Sequence, residues 1–538
     1  MNASSTLINE RVYLTTNSTT FLTGEKLYYA ITCLNTVKNN FSDFSKIAYV
    51  ELINSDKQVV FKNKLFLKES KSNGEYFIPS ALKTGTYKLI AYTNLMLNTN
   101  ASDLYAVDIA IINPYQPLDP KNTLIENNPQ HTIATTSALH GIYDFEKKKY
   151  GKREKVTLSL KTSAVIDKQG SYTLKVLKKD SLISRTNTHD AQLYPIVKKN
   201  TNMVPIESRG EIVKGKIKAK KDPEAPLKNI NIALSIPGND SFFKIVKTNP
   251  RGEFIITIES PLKTDKLQLQ ILDQEINEYT IVLDTHDFLD YSNLTFEPVA
   301  LSLMAKQSLE NRAVASQIEN AYLNLRKDST AFDRPVTNDY LRFDLAYNLD
   351  DYTRFQTLKE TLTEIILGAY YKSVGKRYEI HISDNNKEYE LSHPALVLID
   401  GFYIQDVNEL FKYNVDNIQS IGVIRGGYYY GTKIFNGVIY LKTKNNDYEN
   451  TNKDIYLIEP ELLRPWQEKK YFSVDYSKDN LARIPDYRYQ LLWNPELKPE
   501  DTEVTFYTSD IPGAFEIILE GVDSKGKKLL LTDSFEVE

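Results

Sequence analysis

Residues 394–406, PALVLIDGFYIQD, carry an apolar run that stops on Asp400-Gly401, and residues 421–431, IGVIRGGYYYG, start another fifteen residues further on. Short continuous apolar runs bounded by turn residues read as strands buried on both faces. Residues 396–399 and 421–424 are therefore expected to be buried strands, with 407–413 a connecting helix and 437–441 a third strand. Strand, short helix and two further strands make a small α/β module. The cluster of glycine and tyrosine at 425–431 reads as a tight turn with exposed aromatic rings.

The rest of the chain is longer than one hydrophobic core can serve. Its 538 residues imply about three to five domains. A net charge of −4, with Lys and Arg spread along the chain, gives no field that would gather nucleic acid or anionic lipid. The 36 tyrosines and 22 phenylalanines outweigh 2 tryptophans and 4 methionines, a mix that favours strands. Cys33 is the only cysteine, so neither an intramolecular disulfide nor a cysteine metal motif can form. No run of about 18–20 apolar residues is present that would cross a membrane as a helix. MNASSTLINE at the start has neither the basic region nor the apolar core of a signal peptide. The chain is then either cytosolic or the product of signal removal.

Residues 1–115 alternate with period two in RVYLTTN, KLYYAITCL, IAYVELI and QVVFKNKLFL, separated by turn residues, as in a β-sandwich. Residues 116–207 open with a linker rich in proline and asparagine and continue as a second, weaker sandwich. A third occupies 208–285, where Asn249-Pro250-Arg251-Gly252 reads as a hairpin turn. Period-three and period-four spacing takes over near residue 300. Ala313, Ile318, Ala321 and Leu325 form one face of a helical connector over 286–348. Within the α/β module, 349–447, Phe355, Leu358, Leu362 and Ile365 share a helix face, with Asp351 as N-cap and Gly368 as C-cap. Residues 448–538 read as a tyrosine-rich linker and a C-terminal sandwich. The fold class is mainly β: serial sandwiches plus one small α/β module and a helical connector.

Three segments resemble known families. RVYLTTNSTTFLTGEKLYYAI and SALKTGTYKLIAYTN resemble the macroglobulin-like, immunoglobulin-type domain that opens alpha-macroglobulin relatives and many Bacteroidota envelope proteins. GEIVKGKIKA, PLKNINIALSI and TNPRGEFIITI are similar to the carboxypeptidase-regulatory-like sandwich, which is not itself catalytic. Residues 349–444, with TLKETLTEIIL, ALVLIDGFYI, VDNIQSIGVIRGG and FNGVIYLKTK, resemble the plug domain of TonB-dependent outer-membrane receptors. That resemblance implies a mixed sheet with helices. A receptor barrel needs about 22 strands of about 9–11 residues, and only the 94 residues 445–538 follow Lys444. The expectation is a plug-like domain without its barrel. RIPDYRYQLLWNP and FYTSD add to the resemblance to multidomain Bacteroidota envelope proteins.

Catalytic and cofactor motifs are missing. The six histidines, at 131, 140, 189, 286, 381 and 393, have no metal-ligand spacing. DTHDF around His286 reads as a polar domain junction, and SDNNKEYE at 383–390 as a solvated hairpin that lacks the glycine of a calcium loop. No nucleophile elbow or phosphate loop is present, and RGGYYYG lacks the Lys-Ser/Thr that grips phosphate. Cys33 lies outside any thioester context. No cofactor and no metal are expected.

Tyrosine and arginine often dominate interfaces, so Arg425, Tyr428, Tyr429 and Tyr430 are candidate partner-binding residues. RPWQEKKYFSVDY offers a second group, Trp466 and Tyr471, with Tyr476 beside them. The expected function is that of a non-enzymatic envelope protein, a scaffold or accessory subunit. It would lie in the periplasm or at the cell surface, at an outer-membrane β-barrel complex. The alternative is an extracellular glycan- or peptide-binding protein of a nutrient-uptake system.

Overall fold

Period-two alternation becomes strand in almost every segment that shows it, but the strands combine across long sequence distances. The computed structural model describes residues 9–98, 103–117, 123–125, 143–145, 147–160, 166–179, 192–195, 197–198, 203–222, 225–238, 241–262, 264, 266–272, 278–302, 305–330, 341–383, 393–449, 457–478, 481, 483–498, 501 and 503–538. The chain divides into two units, one of residues 1–210, 287–331 and 465–538, the other of 211–286 and 332–464. Strand dominates both. The α-helices described are short: α1 (Lys306–Ala321), α2 (Leu358–Glu364) and α3 (Val407–Leu410).

In the first unit, Glu10–Thr16, Lys26–Asn35 and Lys71–Phe77 pair antiparallel in one sheet. Ile47–Ile53, Val59–Phe66, Gly85–Tyr92 and Asp103–Ile112 pair antiparallel in a second. Alternation sends Tyr29, Ile31 and Cys33 into the core they share. Ile47–Ile53 is buried along its whole length, so its carboxylate needs partners inside. Glu51 finds them in Lys62 at 2.8 Å, the Tyr92 hydroxyl at 2.5 Å and the Tyr291 hydroxyl. Segments distant in sequence complete this sandwich. Gln192–Pro195 adds to Asp103–Ile112, and Pro465–Trp466 adds in parallel to Val59–Phe66.

The expected second and C-terminal sandwiches are one. Ser171–Lys178 pairs antiparallel with both Gly513–Val522 and Gln490–Leu497, and Lys528–Val537 extends the same sheet. Lys155–Leu160 pairs with Glu503–Tyr507. A single core joins Val156, Leu174 and Val176 to Phe506, Phe515 and Ile517. The boundaries 116–207 and 448–538 are thereby corrected. Each segment supplies too few strands to cover its own apolar face, and the two halves cover each other.

The 286–348 connector also differs from expectation. It carries the strands Leu289–Asp290, Ala300–Ser302 and Leu345–Asn348 besides α1. The face of α1 that packs is Arg312, Ala313 and Ala315, while Ala321 and Leu325 are exposed. An ion pair decides the rotation of the helix. Arg312 grips Glu25 through two bonds of 2.7 and 2.8 Å and donates to the Thr20 carbonyl at 2.9 Å.

In the second unit, Glu211–Ala219, Glu253–Ile258 and Tyr279–Leu283 form one sheet of a sandwich. Asn231–Ile236, Phe242–Lys247, Gln268–Ile271 and Leu457–Ile458 form the other. The Asn249–Gly252 turn exists, closed by the Gly252 N–H on the Asn249 carbonyl at 2.9 Å. It is not a hairpin, because Phe242–Lys247 and Glu253–Ile258 belong to opposite sheets.

The α/β module is a five-stranded mixed sheet in the order Leu345–Asn348, Ile418–Tyr430, Lys433–Thr443, Leu396–Ile399, Phe402–Tyr403. Leu396–Ile399 runs parallel to Lys433–Thr443, and the other neighbours are antiparallel. One face packs on α2, α3 and the hairpin Ala369–Val374/Arg377–Ile382. The other face packs Leu396, Leu398, Phe435 and Val438 on Ala233, Phe243 and Ile245 of the sandwich. The N-cap of α2 is Thr357, in a reciprocal capping box with Glu360, and not Asp351. Helix α3 ends at Leu410, short of the expected 413.

Candidate contact surface

The glycine-tyrosine cluster is strand and not turn. Ile418–Tyr430 and Lys433–Thr443 form a long antiparallel hairpin whose register shifts between Ile424 and Gly427. The extra residue there is a β-bulge, and Gly426 takes it at φ +82°. The reversal itself falls at Gly431-Thr432, between the two strands. A strand sends successive side chains to opposite faces. Tyr428 and Tyr430 therefore share one face, their rings stacked 5.9 Å apart, and both pack against the core that holds Phe243 and Ile245 of the adjoining sandwich. Burial raises the Tyr428 hydroxyl pKa above its ordinary value. Tyr429 points the other way and is 74% exposed, with the exposed Ile434 directly opposite it in the register. Arg425 is half-buried, and its backbone N–H donates to Asp344 at 2.7 Å.

Trp466 and Tyr471 lie in the first unit and are committed to packing. Trp466 sits half-buried against the first core, with the Lys469 ammonium 5.0 Å from its ring. Tyr471 meets Tyr28 edge-on at 5.1 Å and donates to Asn73 at 2.9 Å. Burial, and then the Glu75 carboxylate, drive its hydroxyl pKa well up. Tyr476 donates to Asp486 at 2.6 Å. Of the six residues proposed from sequence, Tyr429 is the one whose ring stands mostly in solvent.

The described residues contain no group of three His, Cys, Asp or Glu able to hold a metal ion. They also contain no helix long and apolar enough to cross a membrane. His381 is buried, stacked on Tyr370 and 3.1 Å from Glu379. His131, His140, His189 and residues 384–390 lie outside the described residues.

Asp400 and Asp486 are buried carboxylates that no local sequence pattern singles out. Asp400, at φ +49° in the turn after Leu396–Ile399, accepts from the Thr443 N–H at 2.8 Å, the Thr443 hydroxyl and the Tyr448 N–H at 3.1 Å. It ties the end of one strand to the end of the next. Asp486 is fully buried and takes two bonds of 2.7 Å from Arg488. Arg153 in turn holds Asp510 through bonds of 2.7 and 2.6 Å, and Asp510 accepts from the Asp486 N–H at 3.0 Å. The alternation of charge and tyrosine in RIPDYRY was the available signal. It marks an ionic network built around the buried Asp486, with Arg153 and Asp510 partly exposed at its edge.

No protein-family model matches the chain, and no curated protein does. Among solved structures, the chain is similar to Salmonella alpha-2-macroglobulin reacted with methylamine, at 8% identity, TM-score 0.22, over 100% of this chain and 40% of that one. It is also similar to trypsin-activated alpha-2-macroglobulin from Escherichia coli, at 9% identity, TM-score 0.23, over 100% and 42%. Dimeric latent PorU from Porphyromonas gingivalis aligns at 10% identity and TM-score 0.17, over 55% of this chain and 34% of that one. The chain thus spans about two fifths of the macroglobulin chains it matches. TM-scores this low carry no argument about function, and the mainly β architecture of many small sheets stands on the strand pairings themselves.

Proposed function

We propose that this chain is a non-enzymatic scaffold or accessory subunit of a bacterial cell envelope, and that it binds an outer-membrane β-barrel complex through protein–protein contacts. The observation that carries the reading is Tyr429. An exposed tyrosine beside an exposed isoleucine, on a hairpin fixed from behind by Tyr428 and Tyr430, is a pre-organised anchor. A rigid aromatic of this kind loses little conformational freedom on binding. The choice of a barrel partner rests on the resemblance of residues 349–444 to receptor plug domains.

The test is purification of the tagged chain from native membranes in mild detergent, alongside its Tyr429→Ala variant. The reading expects an integral β-barrel protein to accompany the parent chain and to be lost or much reduced with the variant. Equal recovery with both would remove Tyr429 from the interface. A parent chain that returns as a soluble monomer carrying oligosaccharide would overturn the scaffold reading.

A further inference from the structure

On the helical face of the α/β module, three rings stand edge-on to one another. Tyr371 and Tyr378 are 5.8 Å apart at 79°, Tyr371 and Phe411 5.5 Å at 69°, and Tyr378 and Phe411 5.5 Å at 66°. Together they make three walls of a box. The Lys359 ammonium lies within it, 3.8 Å from the Tyr378 centroid, 5.1 Å from Phe411 and 5.5 Å from Tyr371. The negative face of an aromatic ring attracts a cation at such distances, and sets of rings are how proteins recognise organic ammonium groups.

The walls are held independently of the lysine. The Tyr378 N–H donates to the Asn408 side chain at 3.0 Å, and the Asn408 amide donates to the Lys376 carbonyl at 2.9 Å. That pair of hydrogen bonds staples α3, with Phe411 at its C-cap, to the hairpin that carries Tyr371 and Tyr378. Lys359, by contrast, has no carboxylate partner among the described residues. It sits in the first turn of α2, where the helix dipole disfavours a cation. Tyr371 remains 37% exposed, so this wall of the box reaches solvent.

We infer that Tyr371, Tyr378 and Phe411 form a recognition site for an organic ammonium group, which Lys359 fills in the free protein and an incoming ligand displaces. The ligand class is a methylated ammonium. It arrives either on a lysine side chain of a partner or as a small choline-like molecule.

The experiment is calorimetric titration of the full chain with tetramethylammonium chloride against a sodium chloride blank, on the parent and on Lys359→Ala. With the internal cation removed, the variant should bind tetramethylammonium at least about tenfold more tightly than the parent, and adding Tyr378→Ala should abolish binding. A Lys359→Ala chain that keeps its cooperative melt and binds no more tightly than the parent overturns the inference. If that variant does not fold, the parent decides. A saturable rise of its melting temperature with tetramethylammonium that Phe411→Leu removes supports the site, and no rise overturns it. A trimethyllysine peptide set against choline then assigns the source, since the tighter binder identifies a partner side chain or a small molecule.

Discussion

The ring of Tyr430 lies 4.9 Å from that of Phe243, and its hydroxyl donates to the Phe243 backbone carbonyl. One residue earlier, Tyr429 stands in solvent. Neighbouring tyrosines thus have opposite duties, and substitution should separate them. Tyr429→Ala should change stability by no more than about 0.5 kcal/mol, as surface changes do. It should cost a bound partner about 2 kcal/mol or more, roughly thirtyfold in affinity. Tyr430→Ala should lower stability by about 1–3 kcal/mol through lost packing and an unpaired carbonyl. Denaturant melts with a parallel pull-down check both. A Tyr429→Ala chain that unfolds early would make that residue structural.

The shared sandwich predicts long-range coupling. Phe515 is fully buried in the core that also holds Val156 and Leu174. Phe515→Ala should cost about 3–5 kcal/mol. It should raise hydrogen exchange in Lys155–Leu160 and Ser171–Lys178 as much as in Gly513–Val522. If exchange rises only after residue 490, the two halves are independent domains.

Acid should loosen the first unit through Asp486 and Asp510. Burial works against the Asp486 carboxylate, but Arg488 and the surrounding bonds overcome it, and its pKa lies below the ordinary value. Asp510 is lowered by its bonds from Arg153. A carboxylate depressed in the folded state adds stability that is complete above the unfolded value near about 4 and fades as pH falls through the folded value. The melting temperature of the parent should therefore drop more steeply below about pH 4 than that of Asp486→Asn, which should be less stable at pH 7. Parallel slopes would show that other groups govern acid unfolding.

Gly401, at φ +92°, packs its α-carbon against the sandwich so closely that a Cβ would collide with the Ser241 side chain. Gly401→Ala should destabilise the second unit by more than about 1 kcal/mol, from backbone strain and the clash together. A variant with an unchanged melt would mean that the contact yields at little cost.

By itself, the sequence determined most of the longer strands and the presence of the α/β module. Alternation in KLYYAITCL and the apolar run LVLI report local burial, and local burial is written at a period of two or as an unbroken stretch. Only the tertiary structure decided which strands share a core. Ser171–Lys178 pairs with Gly513–Val522 across more than 300 residues, and no local pattern encodes a partner at that distance. The same limit hid the faces of short elements. Arg312 turns α1 toward Glu25 and leaves Ala321 in solvent, and an ion pair between distant residues leaves no periodic trace. Tyr428, Tyr429 and Tyr430 are identical in composition, and the sequence could mark them only as a group. Which of them faces Phe243 and which faces water was fixed by the bulge at Ile424/Gly427 and by the sandwich packed behind the hairpin.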